Sequence, residues 1–209
     1  MVRRISTSAK VISMKIAILG GSTTIGKGDP EHGGWAGRLR TWIESDDENN
    51  TVFVLGIPGE SSDGMKGRIS HELNARDLSK EDICIIVLGM NDSRKDSEGE
   101  HEVPITAFKE NCSSILDVAR EHTDKILVIG PAQVDEERTT PFKGKHYLND
   151  DIIKYAEALR SICKDNDAQF IAMHESKTSP DALLDGLHPT PEEHERRAKI
   201  IEEVISEMM

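Results

Sequence analysis

Short apolar runs recur along the chain, and longer stretches with helical periodicity separate them. The runs consist almost entirely of β-branched and aliphatic residues and do not alternate with polar ones, which is typical of strands buried on both faces of a parallel sheet. They cover residues 15–20, 51–56, 82–89, 125–130 and 168–173. The pattern therefore predicts five parallel strands.

Helical periodicity occupies the intervals and the end of the chain. The predicted helices cover residues 34–44, 65–73 (a short segment), 105–120, 149–164 and 191–209. Strands that alternate with helices require right-handed crossovers, which place helices on both faces of the sheet. The fold class is therefore α/β, a three-layer α/β/α sandwich, and in such open sheets ligands bind beyond the carboxyl ends of the strands.

Two segments between these elements are irregular. Residues 131–147 form a connection longer than usual, which is typical of either a functional lid or a mobile loop. Residues 93–102 are rich in charge and are expected to form a solvated surface loop.

Composition and charge restrict the partners. The formal net charge is -12 and the pI about 5.1, with acids and bases interspersed, so no basic surface for nucleic acid is expected. Three cysteines lie in apolar stretches without the spacing of a metal knuckle or a disulfide framework, which favours a reducing compartment. No metal site is expected.

The N-terminal residues, the chain length and the hydropathy lead to expectations about domains and location. Residues 1–13 are basic, lack the apolar core of a secretion signal and are interpreted as an N-terminal extension, ordered loosely if at all. Residues 14–209 are interpreted as one catalytic domain, since this length suits a single domain. No stretch is long and apolar enough for a membrane span, so a cytoplasmic location is expected.

The stretch ILGGSTTIGKGD, residues 18–29, has two interpretations. Residues 21–27 match seven of the eight positions of a phosphate-binding loop, but Gly28 stands where the magnesium-binding hydroxyl belongs. Alternatively, Gly20 and Gly21 allow a sharp turn after the first strand that presents Ser22 as a nucleophile. Taken alone, such a serine more often caps a helix or turn, so partners at other strand ends must decide.

Such partners follow three other strands. After the second strand, Gly59 in GIPGESS is suited to expose its backbone N–H, and after the third, Asn91 in GMND can direct an amide N–H at a developing oxyanion. After the fifth, DGLHPTPEEH places Asp185 three residues before His188, so the carboxylate can orient the imidazole. The following Thr190 is predicted as an N-cap, with Pro191 at the first helical position and Glu193 closing a capping box.

These four blocks, in this order, resemble the SGNH hydrolases, also called GDSL-type esterases and lipases. The family's four name-giving residues correspond to Ser22, Gly59, Asn91 and His188, with Asp185 completing the D-x-x-H motif. The resemblance extends over nearly the whole chain from Lys15 onward. It implies a flavodoxin-like sheet with strand order 2-1-3-4-5.

The resemblance also implies the chemistry. The protein is expected to be a serine esterase that cleaves carboxylic esters, with short acyl or acetyl groups on a small alcohol, lipid or carbohydrate, through an acyl-enzyme on Ser22. His188 and Asp185 would complete the catalytic triad, the Ser22 and Gly59 amides and the Asn91 side chain would form the oxyanion hole, and no cofactor would be needed.

Other residues and readings remain open. The family usually has an aspartate immediately before the serine, and this chain has Gly21. This departure keeps open a catalytically inactive binding module on the same fold. The near match of residues 21–27 to a phosphate-binding loop keeps open a nucleotide-binding protein. Phe142, His146 and Tyr147 either line a substrate pocket or hold their loop on the sheet, and His174 and His194 are expected to be surface or packing residues.

Overall fold

The computed structural model describes residues 13–209 of the 209-residue chain. The N-terminal extension predicted over residues 1–13 therefore lies, apart from Ser13, outside the described residues. Among the helices of the described part, none combines the length and the apolar character that a membrane crossing needs.

In the described part of the chain, five parallel strands form one sheet in the order β2-β1-β3-β4-β5, which confirms the predicted order. The central strands are buried along nearly their whole length, as the continuous apolar runs predict. The strands are β1 (Lys15–Gly20), β2 (Thr51–Gly56), β3 (Ile83–Val87), β4 (Lys125–Ile129) and β5 (Gln169–Ile171).

Helices cover both faces of the sheet, so the three-layer α/β/α sandwich is confirmed. Side chains alternate between the faces: Ala17 and Leu19 of β1 pack with α2, α4 and α6, whereas Ile16 and Ile18 pack with α1 and α7. The helices are α1 (Gly34–Asp46), α2 (Ser62–Arg76), α3 (Met90–Ser93), α4 (Ile105–His122), α5 (Glu136–Thr139), α6 (Asn149–Asp165) and α7 (Pro191–Met208).

The strand order creates a crevice between β1 and β3. The connection that leaves β1 passes through α1 on one face, and the connection that enters β3 comes from α2 on the other. The loops beyond Gly20 and Val87 therefore diverge at the carboxyl edge of the sheet, where open α/β sheets bind their ligands.

Residues 131–147 are folded against the rest of the chain. This segment contains the short helix α5, and backbone hydrogen bonds of 2.9 and 2.8 Å join its His146 to Lys95. The segment 93–102 was expected to be a solvated loop, but it is exposed only at residues 97–100 and 102. Its first residue, Ser93, is buried, and the Lys95 backbone pairs with His146 of the segment 131–147.

His194 joins α7 to the loop after β1. Its ring is fully buried, Nδ1 accepts a hydrogen bond of 3.1 Å from the Trp35 backbone, and Nε2 donates one of 3.0 Å to the Lys27 carbonyl. Burial lowers the pKa of His194 to about 4, since the charged ring would be desolvated. His194 is therefore a packing residue, one of the two options expected for it.

Acid is expected to destabilise the fold through His194. The pKa of His194 is lower in the folded than in the unfolded state, so the neutral ring stabilises the fold. This contribution of His194 to the free energy of unfolding is complete above about pH 6.5 and is lost as pH falls towards 4. Between pH 7.5 and 4.5 the wild type should lose about 2 kcal/mol more than His194→Gln, measured by urea unfolding. His71→Gln, on an exposed histidine, should retain the wild-type loss, and equal losses in all three proteins would contradict the assignment.

Candidate active site

Ser22 lies in a tight loop just beyond the carboxyl end of β1. The loop closes through a 3.0 Å hydrogen bond from the Lys27 N–H to the Ser22 carbonyl. Gly20 is needed where the strand enters the loop, because a Cβ there would lie 2.3 Å from Thr24 Oγ1 and 2.9 Å from Val87 Cβ. The glycine lets the loop turn directly over the sheet.

A chain of hydrogen bonds connects Ser22 to His188 and Asp185. Ser22 Oγ lies 3.0 Å from His188 Nε2, and His188 Nδ1 lies 2.8 Å from Asp185 Oδ2. Because the carboxylate can only accept, Nδ1 carries the ring proton, and Nε2 is left to accept the proton of the serine hydroxyl. This is the arrangement that nucleophilic catalysis by serine requires.

Asp185 is held ionised by its surroundings. Burial raises its pKa, but the bonds from the His188 backbone N–H (2.8 Å), the His188 ring and the Leu187 N–H (3.2 Å) outweigh burial and leave the pKa below its ordinary value. The carboxylate therefore keeps its charge opposite His188 throughout the neutral range.

The loop that carries the pair is anchored at both ends. The Leu184 N–H donates to the His188 carbonyl at 2.8 Å, and Gly186 has a φ of 86°, which favours glycine. Thr190 caps α7 by accepting the Glu193 N–H at 3.3 Å. The predicted capping box is only half formed, because the Glu193 carboxylate bonds arginines of its own helix instead.

Asn91 lies beside the serine loop, at the start of α3. A Cβ on Gly21 would lie 3.2 Å from Asn91 Nδ2, so the amide nitrogen lies beside the residue that precedes Ser22. The orientation of the amide is set from both ends: Nδ2 donates to the Glu60 carbonyl at 2.9 Å, and Oδ1 accepts from Arg94 Nη1 at 3.3 Å. One Nδ2 hydrogen remains available for a ligand.

Two backbone donors belong to the same edge. Within residues 13–209, the N–H groups of Ser22 and Gly59 donate to no protein acceptor. Gly59 has a φ of 79° in its turn after β2, a conformation that glycine adopts without strain. Free N–H donors beside a serine hydroxyl are what a developing oxyanion needs. Ser22 itself lines the cavity described below, whereas Gly59 is exposed and does not line it.

Asp92 braces the loops that carry these donors. It is buried, and its two carboxylate oxygens accept the Ser62 N–H at 2.7 Å and the Gly89 N–H at 3.2 Å, which joins the start of α2 to the end of β3. In the sequence, Asp92 directly follows Asn91, and Arg94 lies three residues after Asn91. This proximity to Asn91 is the only local signal for either residue.

The phosphate-loop interpretation has no support in this geometry. The side chain of Lys27 is exposed, and its backbone carbonyl is occupied by His194. A Cβ on Gly28 would lie 2.1 Å from the Pro189 carbonyl oxygen, so Gly28 serves the packing of the loop against the segment after His188. Lys27 does not line the cavity at Ser22.

A cavity of about 60 Å³ opens beside Ser22. Its wall includes Gly21, Asn91 and Glu60 near the serine, and mostly apolar side chains elsewhere. The apolar part includes Trp35, Val87, Ile129, Met173, Leu187 and Ile201.

None of Phe142, His146 and Tyr147 lines this cavity, and of the three Phe142 packs against His188. The Phe142 ring packs edge-on against His188 at a centroid distance of 6.1 Å and against Tyr147 at 6.3 Å. Tyr147 is buried in a small apolar cluster, and His146 pairs with Lys95 through its backbone. A substrate-binding role for these three residues remains a prediction.

His174 and its neighbours form a separate polar group. Among the described residues, Glu157, His174 and Glu175 are spaced as metal ligands would be, but Arg160 pairs with both carboxylates. None of the four lines the cavity at Ser22.

Comparison with known proteins places this geometry in context. Residues 18–196 match the GDSL-like Lipase/Acylhydrolase family. The fold is similar to that of the lipase/acylhydrolase from Enterococcus faecalis, at 19% identity and a TM-score of 0.73 over 92% of this chain and 95% of that one. It is also similar to TesA, at 17% identity and a TM-score of 0.74 over 94% and 100% of the two chains.

A further similar structure is Axe2, an acetylxylan esterase from Geobacillus stearothermophilus. Its identity is 18% and its TM-score 0.68, over 89% of this chain and 91% of that one. No curated protein sequence matches the chain. The structural likenesses establish a shared fold, and the family match covers every residue of the hydrogen-bonded chain described above.

Proposed function

As a member of the GDSL-like Lipase/Acylhydrolase family, the chain is a hydrolase of ester bonds, and we propose that it cleaves them through an acyl-enzyme on Ser22. The observation that carries this proposal is the continuous hydrogen-bonded chain from Ser22 Oγ through His188 to Asp185, with separations of 3.0 and 2.8 Å. It supplies the nucleophile, the base and the group that orients the base.

In the first half of the reaction, Ser22 Oγ attacks the ester carbonyl carbon while His188 Nε2 takes the hydroxyl proton. The resulting imidazolium is stabilised by the ionised Asp185. Collapse of the tetrahedral intermediate breaks the bond to the alcohol oxygen, and His188 returns the proton to that oxygen. The acyl group is then bound to Ser22.

In the second half, water replaces the alcohol. His188 takes a proton from the water as its oxygen attacks the acyl carbonyl, and it then returns the proton to Ser22 Oγ as the acid leaves. No step requires a metal ion or an organic cofactor.

The backbone N–H groups of Ser22 and Gly59 and the side chain of Asn91 would hold the oxyanion in both halves. Their support is the absence of competing protein acceptors for the two backbone donors within residues 13–209, and the fixed orientation of the Asn91 amide. Each such donor typically contributes about 3 kcal/mol to lowering the barrier.

Short acyl groups fit the site best. A cavity of about 60 Å³ has room for a few heavy atoms, and the structurally similar Axe2 is an acetylxylan esterase. Three exposed apolar side chains, Ile25, Ile57 and Leu184, lie on loops at this edge of the sheet. They favour an alcohol part with some apolar surface, such as a lipid or a substituted sugar.

Labelling with a serine-reactive phosphonate tests the mechanism. The wild type should be labelled at Ser22, as located by peptide mass spectrometry, and the labelling should be suppressed by an ester that the protein hydrolyses. An intact, folded protein that neither labels at Ser22 nor turns over esters with short acyl groups would favour a catalytically inactive binding module and contradict the proposal.

A further inference from the structure

Arg197 is a buried cation with an unused hydrogen-bond donor. The side chain lies on α7 and is 8% exposed, and its Nε donates to Glu193 Oε1 at 2.8 Å. Its Nη2 is buried and has no hydrogen-bond partner among residues 13–209. Leaving a buried charged donor without an acceptor is costly, so such a group usually has a water or ligand partner.

The charges around Arg197 do not balance. Glu193, 3% exposed, is shared with Arg196, whose Nε and Nη2 donate to it at 2.6 and 2.7 Å. One carboxylate therefore faces two guanidinium groups, and the trio carries a net positive charge. Burial also lowers the pKa of Arg197, because the charged form is desolvated.

Arg197 and Ser22 line the same cavity. Among residues 13–209, the only other charged side chain in that wall is Glu60, which is neutralised by Arg68 through bonds of 2.5 and 2.6 Å. Within this described part of the chain, the excess positive charge that an occupant of the cavity would meet is therefore carried by Arg197.

We propose that Arg197 binds a carboxylate on the acyl part of the substrate, so that the preferred substrates are monoesters of short dicarboxylic acids. The ester carbonyl would lie at Ser22 and the free carboxylate would accept hydrogen bonds from the Arg197 guanidinium. The inference rests on the proposed function and deepens it. A fork of guanidinium donors matches a carboxylate in shape and in charge, and the guanidinium is already desolvated.

Paired ethyl esters test the proposal. Monoethyl succinate and ethyl 4-methylpentanoate differ in that a carboxylate replaces an isopropyl group of the same shape, and ethanol release gives kcat/KM for each. The wild type should favour the succinate ester by about tenfold or more. In Arg197→Met, the ratio of the two kcat/KM values should fall about 10- to 100-fold, and Arg197→Lys should lower it less.

Arg196→Met is the matched control. Arg196 bonds the same Glu193 carboxylate, but its side chain is 38% exposed and does not line the cavity. The ratio should therefore stay at its wild-type value in Arg196→Met. A wild type that treats the two esters alike, or a ratio unchanged in Arg197→Met and Arg197→Lys, would overturn the proposal and indicate that water alone occupies the Nη2 position.

A binding measurement separates this inference from the proposed function. In a Ser22→Ala background, which needs no turnover, succinate should raise the Tm, and Arg197→Met should abolish that shift. If the wild type neither hydrolyses esters nor reacts with the phosphonate but succinate still raises the Tm, only the proposed mechanism is contradicted. If the wild type turns over neutral esters but succinate does not raise the Tm, only the role of Arg197 is contradicted.

Discussion

Ser22→Ala is expected to lower kcat for any ester substrate by about 10⁴-fold or more. The variant removes the atom that would form the acyl bond in the proposed mechanism, while the cavity and the proposed oxyanion donors remain. Residual hydrolysis is expected, because those donors would still favour direct attack by water. Initial rates with a chromogenic acetate ester, measured over several hours, give the necessary range.

Thr23→Ala is the control for this experiment. Thr23 is the next residue, carries a hydroxyl and also lines the cavity, but it makes no hydrogen bond to His188. Its replacement should change kcat by less than about tenfold, since it removes no catalytic group. Comparable losses in both variants, or a Ser22→Ala protein within tenfold of the wild type, would exclude Ser22 as the nucleophile.

Sequence reasoning predicted the elements of the fold well where the signal is local. The bounds of β1 and β2 agree with the prediction, because their apolar runs end in glycines that also end the strands. The runs at β3 and β5 overestimate both strands. Asp82 accepts hydrogen bonds from Lys15 and Ser79 instead of joining β3, and beyond Ile171 the chain turns into a 3₁₀ turn over Met173–Glu175.

The helix α2 was predicted too short for a related reason. Its apolar signal is confined to Met65, Ile69 and Leu73, so the pattern contains no information about the first turn. That turn is anchored by Asp92, 30 residues away, which accepts the Ser62 N–H. Anchors of this kind arise only in the folded chain.

The candidate site shows the same division. Ser22, Asp185 and His188 were recognisable from short motifs, because each motif combines a special turn with a reactive side chain. Arg196 and Arg197 are adjacent and look alike in the sequence, but one step along a helix rotates the side chain by about 100°. That rotation leaves Arg196 on the surface and buries Arg197 against the cavity.

Gly21, where the family usually has aspartate, has a structural counterpart in this chain. Its φ lies outside the left-handed region, so the backbone would accept other residues. A Cβ would, however, come within 3.2 Å of Asn91 Nδ2, so the glycine permits a close approach of the amide to the serine loop. The departure therefore affects the position of the proposed oxyanion donor and leaves the bond between Ser22 and His188 in place.

Asp185→Asn is expected to lower kcat by about 10³- to 10⁴-fold. The asparagine oxygen can still accept the backbone N–H groups of Leu187 and His188, so the loop should keep its shape. Its amide group, facing His188 Nδ1, would donate where the carboxylate accepted. The ring proton would then move to Nε2, and the ring would no longer accept the proton of Ser22.

A defect in the histidine tautomer can be distinguished from a defect in folding. Asp181→Asn changes an exposed aspartate in the preceding 3₁₀ turn, Pro180–Ala182, and should leave both kcat and Tm at wild-type values. Asp185→Asn should show the large loss in kcat and slow phosphonate labelling with a nearly unchanged Tm. If the kcat of Asp185→Asn stays within tenfold of the wild type, Asp185 does not orient His188. If the loss of kcat comes with a large fall in Tm, the role of Asp185 is to hold the loop. Only a loss of kcat at constant Tm agrees with a carboxylate that fixes the proton on Nδ1. Removing such a carboxylate changes which ring nitrogen can accept a proton, but it leaves the packing of the loop intact.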